Sequence, residues 1–351
     1  MAYSTITKGS VHFNTVTYTG NGSTNNVTGV GFQPDWLWIK SRSTTENHVI
    51  YDALRGVTKQ LYSNTSGAES TNATALTAFG TDGFNLATSN ANTNANGTTF
   101  VSWNWKAGGS GTTNNDGSIQ STVSVNNTAG FSIVKYTGNG GTSTVGHGMN
   151  VAPTLLINKN IESNSTSWFV GGWGDFTKRL KLEGTNDWAA NTVWNDTAPT
   201  NQVFSLNGNN ANQSGQDYIC YCFAEKAGYS KFGTLESVGN DSGTFTYCGF
   251  APQLVMVKPT VSDGWSNWYV FDRKRDTHNL SENPLFWNLN TRENYYGGSP
   301  ASNYDQIDIT STGFKIRRDG NWGAGASGTD LNYMAFGQTI VGSNNVPVVA
   351  R

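Results

Sequence analysis

The chain has 351 residues, of which 36% are hydrophobic and 13% are charged, and its formal net charge is −2 at pH 7. Such a small net charge disfavours nucleic acid or an anionic membrane as the main partner, because both require a basic surface. No apolar run approaches the ~18–20 residues of a membrane span, and the N-terminus lacks the apolar core of a signal peptide, so no membrane insertion is expected.

Short strand-like segments separated by Gly, Asn and Asp follow one another along the first third of the chain. The loop "YTGNG" (18–22) is followed by "PDWLWIK" (34–40), "HVIYD" (48–52), "DGFNL" (82–86) and "TFVSWNW" (99–105). Both faces of "PDWLWIK" are apolar, which predicts a central strand covered on both sides. Its proline should stand at the start of the strand, and Lys40 should mark the point where the strand reaches solvent. The segment after "HVIYD" is predicted to be strand and turn, because Gly56 interrupts its helical spacing.

The same segments return twice in the same order. Pro34 to Lys40 matches Pro153 to Lys159 and Pro252 to Lys258, and "TFVSWNW" matches "DYICYCF" (217–223) and "LNYMAF" (331–336). The period far exceeds the ~20–50 residues of a solenoid unit, so each repeat is predicted to be a small domain. We therefore predict an all-β chain of three tandem antiparallel β-sandwich domains over 1–109, 110–228 and 229–351, here called repeats 1, 2 and 3.

Tests for catalytic and metal chemistry favour a non-enzyme. Asp305 and Asp308 fall on opposite faces of a predicted strand, and Glu183 and Asp187 flank a glycine turn, so neither pair suits glycoside hydrolysis. No nucleophile motif is present, and His147 lies in a glycine-rich turn that favours a structural role. "GAGASG" (323–328) lacks the strand and helix of a nucleotide-binding loop. No cofactor or metal is predicted, and the three cysteines, Cys220, Cys222 and Cys248, are predicted to be buried thiols.

Charged pairs and aromatic residues are the remaining candidates. Asp52 with Arg55 has the spacing of Asp272 with Arg275, and a structural ion pair and turn cap is the favoured interpretation of both. Tryptophans and tyrosines in predicted loops could contact glycans, contact proteins or be buried, since all three fit aromatic residues beside amides. The candidate binding residues are Trp173, Trp188, Trp194, Trp265, Tyr295, Tyr296 and Trp322.

As a set and in this order, several of these phrases resemble the repeat-containing virion proteins of tailed, especially marine, bacteriophages that are often labelled tail fibres. The resemblance rests on "YTGNG", "GFQPDWLWIK", "LRGVTKQLYSN", "DGFNLATSNANTNANGTTFVSWNWKAGG", "YICYCFAEKAGYSKFG" and "VGSNNVPVVAR". It implies a virion structural protein with lectin-like jelly-roll sandwiches, assembled in the host cytoplasm.

The leading prediction is a tail-fibre or appendage component that binds the host surface. The alternative is a capsid-decoration or head-fibre protein that binds other virion subunits, and a glycan-degrading enzyme is the weakest alternative. The expected partners are other virion proteins, copies of the chain itself (a trimer is favoured) and a host surface glycan. Covering of exposed sheet edges by neighbours is expected, because scarce charge limits their blunting by Lys and Glu.

Overall fold

The computed structural model describes residues 4–208, 210–240, 242–261, 266–293, 295–296, 299–300, 306–317 and 328–339. In these residues the chain is all-β, as predicted, and consists of several antiparallel sheets. Two short 3-10 turns, Gly9–Val11 and Thr192–Trp194, accompany the strands. Among the described residues, no helix has the length and apolarity that crossing a membrane requires.

The strands fall into three groups. In repeat 1 they are β1 (Phe13–Thr19), β2 (Asn25–Thr28), β3 (Trp36–Ser41), β4 (Val49–Asp52), β5 (Lys59–Gln60), β6 (Ser70–Thr71), β7 (Leu76–Gly80), β8 (Gly83–Leu86) and β9 (Thr99–Trp105). In repeat 2 they are β10 (Thr112–Asn114), β11 (Ser121–Asn126), β12 (Phe131–Thr137), β13 (Ser143–Gly146), β14 (Leu155–Asn160), β15 (Phe169–Gly172), β16 (Asp175–Lys181), β17 (Ala189–Ala190), β18 (Val203–Leu206) and β19 (Asp217–Phe223). In repeat 3 they are β20 (Ser230–Glu236), β21 (Phe245–Tyr247), β22 (Phe250–Pro259), β23 (Tyr269–Asp272), β24 (Leu285–Phe286), β25 (Tyr295–Tyr296), β26 (Ser299–Pro300), β27 (Gln306–Ile309), β28 (Gly313–Arg317) and β29 (Asp330–Thr339).

Strand pairing is the same in each group. The larger sheets contain the orders β1-β9-β3-β4, β12-β19-β14-β15 and β20-β29-β22-β23, so the closing strands β9, β19 and β29 have equivalent neighbours on both sides. A smaller sheet accompanies each of them, in the orders β2-β8-β7, β13-β18 and β21-β28-β27. The apolar faces of the two sheets in a repeat enclose a core of their own, which gives each repeat a sandwich-like, two-layer form.

A fourth core lies between the repeats. It is formed by the faces of the three larger sheets that point away from the core of their own repeat, and it contains residues from all three repeats. Strand β3 shows how one segment serves two cores: Leu37 and Ile39 belong to the core of repeat 1, whereas Trp36 and Trp38 belong to the shared core. All four side chains are fully buried, which confirms that this strand is covered on both sides. The second apolar face of the repeated phrase therefore exists because the repeats pack on one another.

The shared core has a threefold arrangement. Trp105, Phe223 and Phe336 occupy equivalent positions in the three closing strands, where they pair with Trp36, Leu155 and Leu254. Their ring centroids lie 6.5, 5.6 and 5.8 Å apart and form a triangle. The N-terminal segment contacts the last strand, since the Gly9 amide donates to Oε1 of Gln338 at 2.8 Å. One chain thus closes three homologous repeats into a ring.

Two details of the repeated phrase differ from the prediction. Pro34 and Pro153 precede their strands, but Pro252 lies inside β22, which continues to Phe250 because β29 extends to pair with it. The register shifts between Pro252 and Leu254, and such an irregularity tolerates a proline that cannot donate to the ladder. The expectation that the closing lysines reach solvent is wrong: Lys40, Lys159 and Lys258 are all fully buried.

The loop "YTGNG" holds the ends of its repeat together. The Tyr18 hydroxyl donates to the carbonyl of Thr93 at 2.7 Å, and the next residue, Asn94, accepts from the Asn21 amide through Oδ1 at 3.1 Å. Repeat 2 has the same arrangement, in which Tyr136 donates to Ala211 and the Asn139 amide donates to Asn212. The motif is therefore structural in both copies.

Candidate functional site

The predicted aromatic residues do not converge on one surface. Trp173 and Trp188 are half-buried against the shared core, with their ring centroids 5.8 Å apart in an edge-to-face pair. Trp194 is fully buried in the core of repeat 2, which is the buried alternative left open for these aromatic residues, so its ring is not accessible for the predicted binding role. The loop bends back there through the 3-10 turn, and a Cβ at Gly171 would meet the Trp194 indole at 2.3 Å. Tyr295 and Tyr296 form β25, whereas their side chains, Trp265 and Trp322 lie outside the described residues.

The interface between two neighbouring repeats is here called a seam. A buried tryptophan bridges the seam between repeats 1 and 2. Trp168 lies directly before β15, and its indole Nε1 donates to the carbonyls of Tyr62 at 3.0 Å and Thr65 at 3.2 Å. Both acceptors belong to repeat 1, in the segment "LYSNT" (61–65). Since a buried indole N–H is stabilised by an acceptor, this bond favours one way of docking repeat 2 on repeat 1.

Equivalent residues occupy the other two seams. Trp268 of repeat 3 donates to the carbonyls of Lys181 at 3.1 Å and Gly184 at 3.2 Å in repeat 2. His48 takes this place in repeat 1 and accepts from the Trp38 indole at 2.9 Å, although its Nε2 makes no well-formed hydrogen bond within the described residues. Burial lowers the pKa of His48 well below its usual value, and the facing backbone of repeat 3 opposes this shift only in part. The facing residues are Phe286 and Leu289.

Buried ion pairs reinforce the seam between repeats 1 and 2. Arg55 bonds Asp52 through Nε, and its Nη1 lies 3.3 Å from Glu69. The Tyr221 hydroxyl of repeat 2 donates to Asp52 at 2.8 Å. Arg55 and Asp52 are nearly inaccessible to solvent, and Asp52 also accepts two backbone amides of the following turn. The prediction of a structural ion pair and turn cap is confirmed here.

The seam between repeats 3 and 1 repeats this chemistry. Arg275 bonds Asp272 at 2.6 Å and Glu293 at 2.7 Å, and the Trp103 indole of repeat 1 donates to Asp272 at 3.0 Å. Arg42 of repeat 1 adds a second cation to Glu293 at 2.8 Å. At two of the three seams, therefore, a buried aspartate accepts a hydrogen bond from the closing strand of the neighbouring repeat. These aspartates are Asp52 and Asp272.

The third seam, between repeats 2 and 3, uses aromatic residues instead. Trp173 follows Gly172, which replaces the aspartate of the other repeats, and its Nε1 donates to the Tyr333 carbonyl of repeat 3 at 2.9 Å. Its ring also lies 6.5 Å from that of Trp268. Trp188 stands where the other seams have their glutamates. The predicted contact role of Trp173 and Trp188 therefore has a partner inside the same chain.

The buried lysines act as donors to loop carbonyls. Lys159 donates to Ser66 of repeat 1 at 2.9 Å and to Thr166 at 2.6 Å, and Lys258 lies 3.4 Å from the Thr185 carbonyl of repeat 2. Burial lowers the pKa of Lys40 to about 7 and that of Lys159 to about 8, against the opposing pull of nearby carboxylates. The amines donate hydrogen bonds to buried loop carbonyls that would otherwise need water. This requirement explains why a lysine recurs at the end of the strand.

The residues considered for catalysis are engaged elsewhere or lie outside the described residues. Glu183 accepts the Trp168 amide at 3.1 Å, Asp308 pairs with Arg317 at 3.5 Å, and the ring of His147 contacts the Thr200 carbonyl at 3.1 Å. Asp305 and most of "GAGASG" are among the residues that the structure does not describe. Within the described part of the chain, no three His, Cys, Asp or Glu residues are grouped to hold a metal ion.

The cysteines are buried free thiols, as predicted. Burial raises the pKa of Cys222 well above its usual value and that of Cys248 to about 12, so neither thiol is a ready nucleophile.

A polar cleft of about 360 Å³ opens at the surface of the seam between repeats 1 and 2. Its cations and carboxylates are already paired, as Lys59 with Glu69 and Lys135 with Asp217. It is lined by Arg55, Lys59, Ala68, Glu69, Lys135, Ile161, Glu162 and Asp217. None of these lining residues is aromatic, so the cleft is not the aromatic glycan surface that the sequence suggested.

Two aromatic residues that the sequence analysis did not select are exposed on β21. Phe245 is 48% exposed and Tyr247 is 55% exposed, and the Lys231 ammonium lies 5.9 Å from the centre of the Tyr247 ring. Alignment of the repeats by register places Asn26 of repeat 1 and Thr144 of repeat 2 where Phe245 stands. The signal that could have found Phe245 is a comparison of the three repeats at this strand, where the other two have polar residues.

Comparison with known families places almost the whole chain in one family. Residues 8–339 match the model described as Domain of unknown function (DUF7483). The chain belongs to this family. The match runs across all three repeats, which agrees with their closure into one ring. No curated protein and no solved structure matches the chain.

Proposed function

We propose that the chain is a non-enzymatic structural protein of a bacteriophage particle, in which three lectin-like jelly-roll sandwiches form one rigid unit. Its leading role in this proposal is that of a tail appendage that binds the host surface. The proposal starts from the sequence resemblance to phage virion proteins. The observation that carries it further is the closed threefold ring, whose centre is the triangle of Trp105, Phe223 and Phe336.

The ring suits a particle component for a physical reason. Homologous patches repeated around an axis can engage several equivalent sites at once, and cyclic symmetry is the usual way in which particles present such patches. In this protein the corresponding surfaces of the three repeats belong to one chain, so the distances between them are fixed by the shared core. The expected homotrimer and the expected glycan ligand remain predictions of this proposal.

Capsid decoration is the second candidate, and one observation favours it. The exposed Phe245 and Tyr247 on a strand edge of repeat 3 are typical of a protein contact rather than of a fully solvated surface. A decoration protein would use such an edge against a neighbouring subunit.

Purified phage particles test the proposal and separate its two roles. Antibody raised against the chain should label intact particles in electron micrographs, at the tail for attachment or on the head for decoration. The purified chain should also reduce adsorption of the phage to its host if it is the attachment protein. Absence of the chain from washed particles would contradict both roles.

Variants for this experiment need to avoid the seams. Substitution of Trp173 by Ala would weaken the fold and lower adsorption for that reason alone. Tyr295→Ala, Tyr296→Ala, Trp265→Ala and Trp322→Ala test the remaining predicted aromatic residues, with Val238→Ala as an exposed control on repeat 3 outside β21. Lower adsorption by variants whose denaturant midpoints match wild type would favour glycan or receptor binding.

A further inference from the structure

The same sheet edge has a different environment in each of the three repeats. Strands β2, β13 and β21 are equivalent edge strands of the smaller sheets. Their equivalent central pairs are Val27 with Phe84, Val145 with Phe204, and Thr246 with Phe314. This register makes Asn26, Thr144 and Phe245 counterparts.

Repeat 2 covers this edge with its own chain. The Ile119 amide donates to the Thr144 carbonyl at 3.0 Å, and the Thr144 amide donates to Oγ of Ser118 at 2.9 Å. Ile119 also forms a parallel bridge with Val145, and its side chain is buried in the core of repeat 2. The covering segment belongs to the long connection, residues 106–130, between β9 and β12.

Repeat 3 has no such connection, because only residues 224–229 lie between β19 and β20. The main-chain groups of Thr244, directly before β21, and of Thr246 within it face β28, as the bond from the Ile316 amide to the Thr244 carbonyl at 3.0 Å requires. The amide and carbonyl of Phe245 therefore point outward, since these groups alternate along a strand. Within the described residues, neither group has a hydrogen-bond partner.

The neighbouring edge of the larger sheet is less available. The Phe232 amide of β20 already donates to Oε1 of Glu225 at 2.8 Å, and the Thr244 hydroxyl donates to the Glu236 carbonyl at 2.7 Å. The open edge of repeat 3 is therefore β21. In repeat 1 the counterparts of Phe245 and Tyr247 are Asn26 and Thr28, which solvent can hydrate.

We propose that the edge of β21 accepts an extended segment of another protein chain as an added strand, in the way that Gly117–Ile119 covers β13. A main-chain amide of the segment would donate to the outward carbonyl of Phe245, a hydroxyl or main-chain oxygen would accept from its amide, and an apolar side chain of the segment would pack on Phe245 and Tyr247. Lys231, above the Tyr247 ring, favours an acidic residue at the end of the segment. This inference rests on the geometry of the repeats and does not depend on a role in a virion.

A protein segment fits this edge better than a sugar does. Stacking of a sugar ring requires an exposed aromatic face but no unpaired strand edge, whereas β21 offers both its aromatic side chains and its main-chain groups. The same chain also supplies a working example, because an extended segment already occupies the counterpart edge in repeat 2.

A peptide of residues 113–122, which includes the natural covering segment, is the probe for this edge. Its binding to the full-length chain would be followed by fluorescence anisotropy, and the amides of β21 by hydrogen exchange. Phe245→Pro removes the outward N–H, and an edge strand tolerates proline when that N–H faces solvent. Asn26→Pro is the matched control, because it makes the same change at the counterpart edge of repeat 1.

We expect millimolar or tighter peptide binding, slower exchange of the Phe245 and Tyr247 amides, and at least about tenfold weaker binding by Phe245→Pro. Phe245→Asn with Tyr247→Thr, which installs the repeat 1 residues, should also weaken binding, whereas Asn26→Pro should bind as wild type does. Unfolding midpoints establish that each variant is folded. Equal peptide binding by wild type and Phe245→Pro, or no binding by wild type, would overturn the proposal. Displacement of the peptide by an oligosaccharide, or self-association of the chain through this edge, would assign another occupant.

Discussion

The rings of Trp105 and Phe336 lie 5.6 Å apart, although they belong to the closing strands of the first and the last repeat. Phe223, their counterpart in repeat 2, completes the triangle. The contact joins the first and the last repeat, which would lie apart if the three repeats were arranged in a linear row. It indicates that the repeats act as a ring with one shared core rather than as three independent domains.

The indole bond across the first seam should contribute measurably to stability. Trp168→Phe removes the donor and leaves the carbonyls of Tyr62 and Thr65 buried without it, at a cost of about 1–3 kcal/mol. Trp194→Phe is the control, because Trp194 is equally buried but its Nε1 has no hydrogen-bond partner among the described residues. Denaturant midpoints compare the two variants. A loss for Trp194→Phe as large as that for Trp168→Phe would show that ring shape, not the seam bond, determines the difference.

The buried guanidinium of Arg275, at the seam between repeats 3 and 1, should contribute far more to the free energy of unfolding than a surface ion pair does. Arg275→Met leaves Asp272 buried without its cation and should cost about 3–5 kcal/mol. Lys178→Met breaks the exposed pair with Asp175 and should cost about 0–1 kcal/mol. Thermal or denaturant unfolding measures both. Comparable losses would mean that the seam pair is not the structural device inferred here.

Stability should rise with pH above neutrality because of the buried lysines. Burial holds the pKa of Lys40 at about 7, whereas the same amine in the unfolded chain keeps its usual value near 10.5. Between these values the unfolded state binds more protons, so raising the pH favours the fold by up to about 1.4 kcal/mol per pH unit for each such lysine. Lys159, with a pKa of about 8, adds to the rise above pH 8.

Unfolding midpoints at pH 7 and pH 9 measure this slope. Lys40→Met should flatten it whatever its effect on stability at pH 7, and exposed Lys178→Met should leave it unchanged. A wild-type midpoint that falls over this interval would contradict the lowered pKa values of Lys40 and Lys159.

The glycine that opens the loop of repeat 2 should tolerate no side chain. A Cβ at Gly138 would lie 2.3 Å from the Gln213 carbonyl oxygen, whereas at Gly141 the nearest atom is 3.8 Å away. Gly138→Ala should therefore cost about 1–3 kcal/mol through overpacking. Gly141→Ala, three residues later, should be neutral within about 0.5 kcal/mol. Equal midpoints for the two variants would show that the loop is not held as described.

Much of the fold followed from the sequence, because spacing and alternation are local signals. The apolar character of Trp36 to Ile39 on both faces predicted a doubly covered strand, and the equal spacing of Asp52–Arg55 and Asp272–Arg275 predicted a structural ion pair. What covers the second face did not follow, because contacts between repeats are encoded in no local pattern. Lys40 illustrates this limit: a lysine at a strand end usually reaches solvent, and only the neighbouring repeat buries it.

The candidate aromatic residues show the same limit. Position in a polar stretch made Trp194 a candidate binding residue, but the turn Thr192–Trp194 directs its ring into the core. Phe245 and Tyr247 were overlooked because they stand in a short strand, and strand aromatics are ordinarily core residues. Their exposure depends on the length of the preceding connection, which gives repeat 2 a covering segment and repeat 3 none.

Equilibrium unfolding of three core variants tests the closed ring most directly. Leu37→Ala, Leu156→Ala and Val255→Ala each truncate a fully buried side chain in the separate core of one repeat, with losses of about 2–5 kcal/mol expected for the leucines. If the shared core makes one cooperative unit, every variant will unfold in a single transition whose midpoint is lowered for all spectroscopic probes together. Three resolved transitions, of which each variant shifts only the one belonging to its own repeat, would contradict the ring.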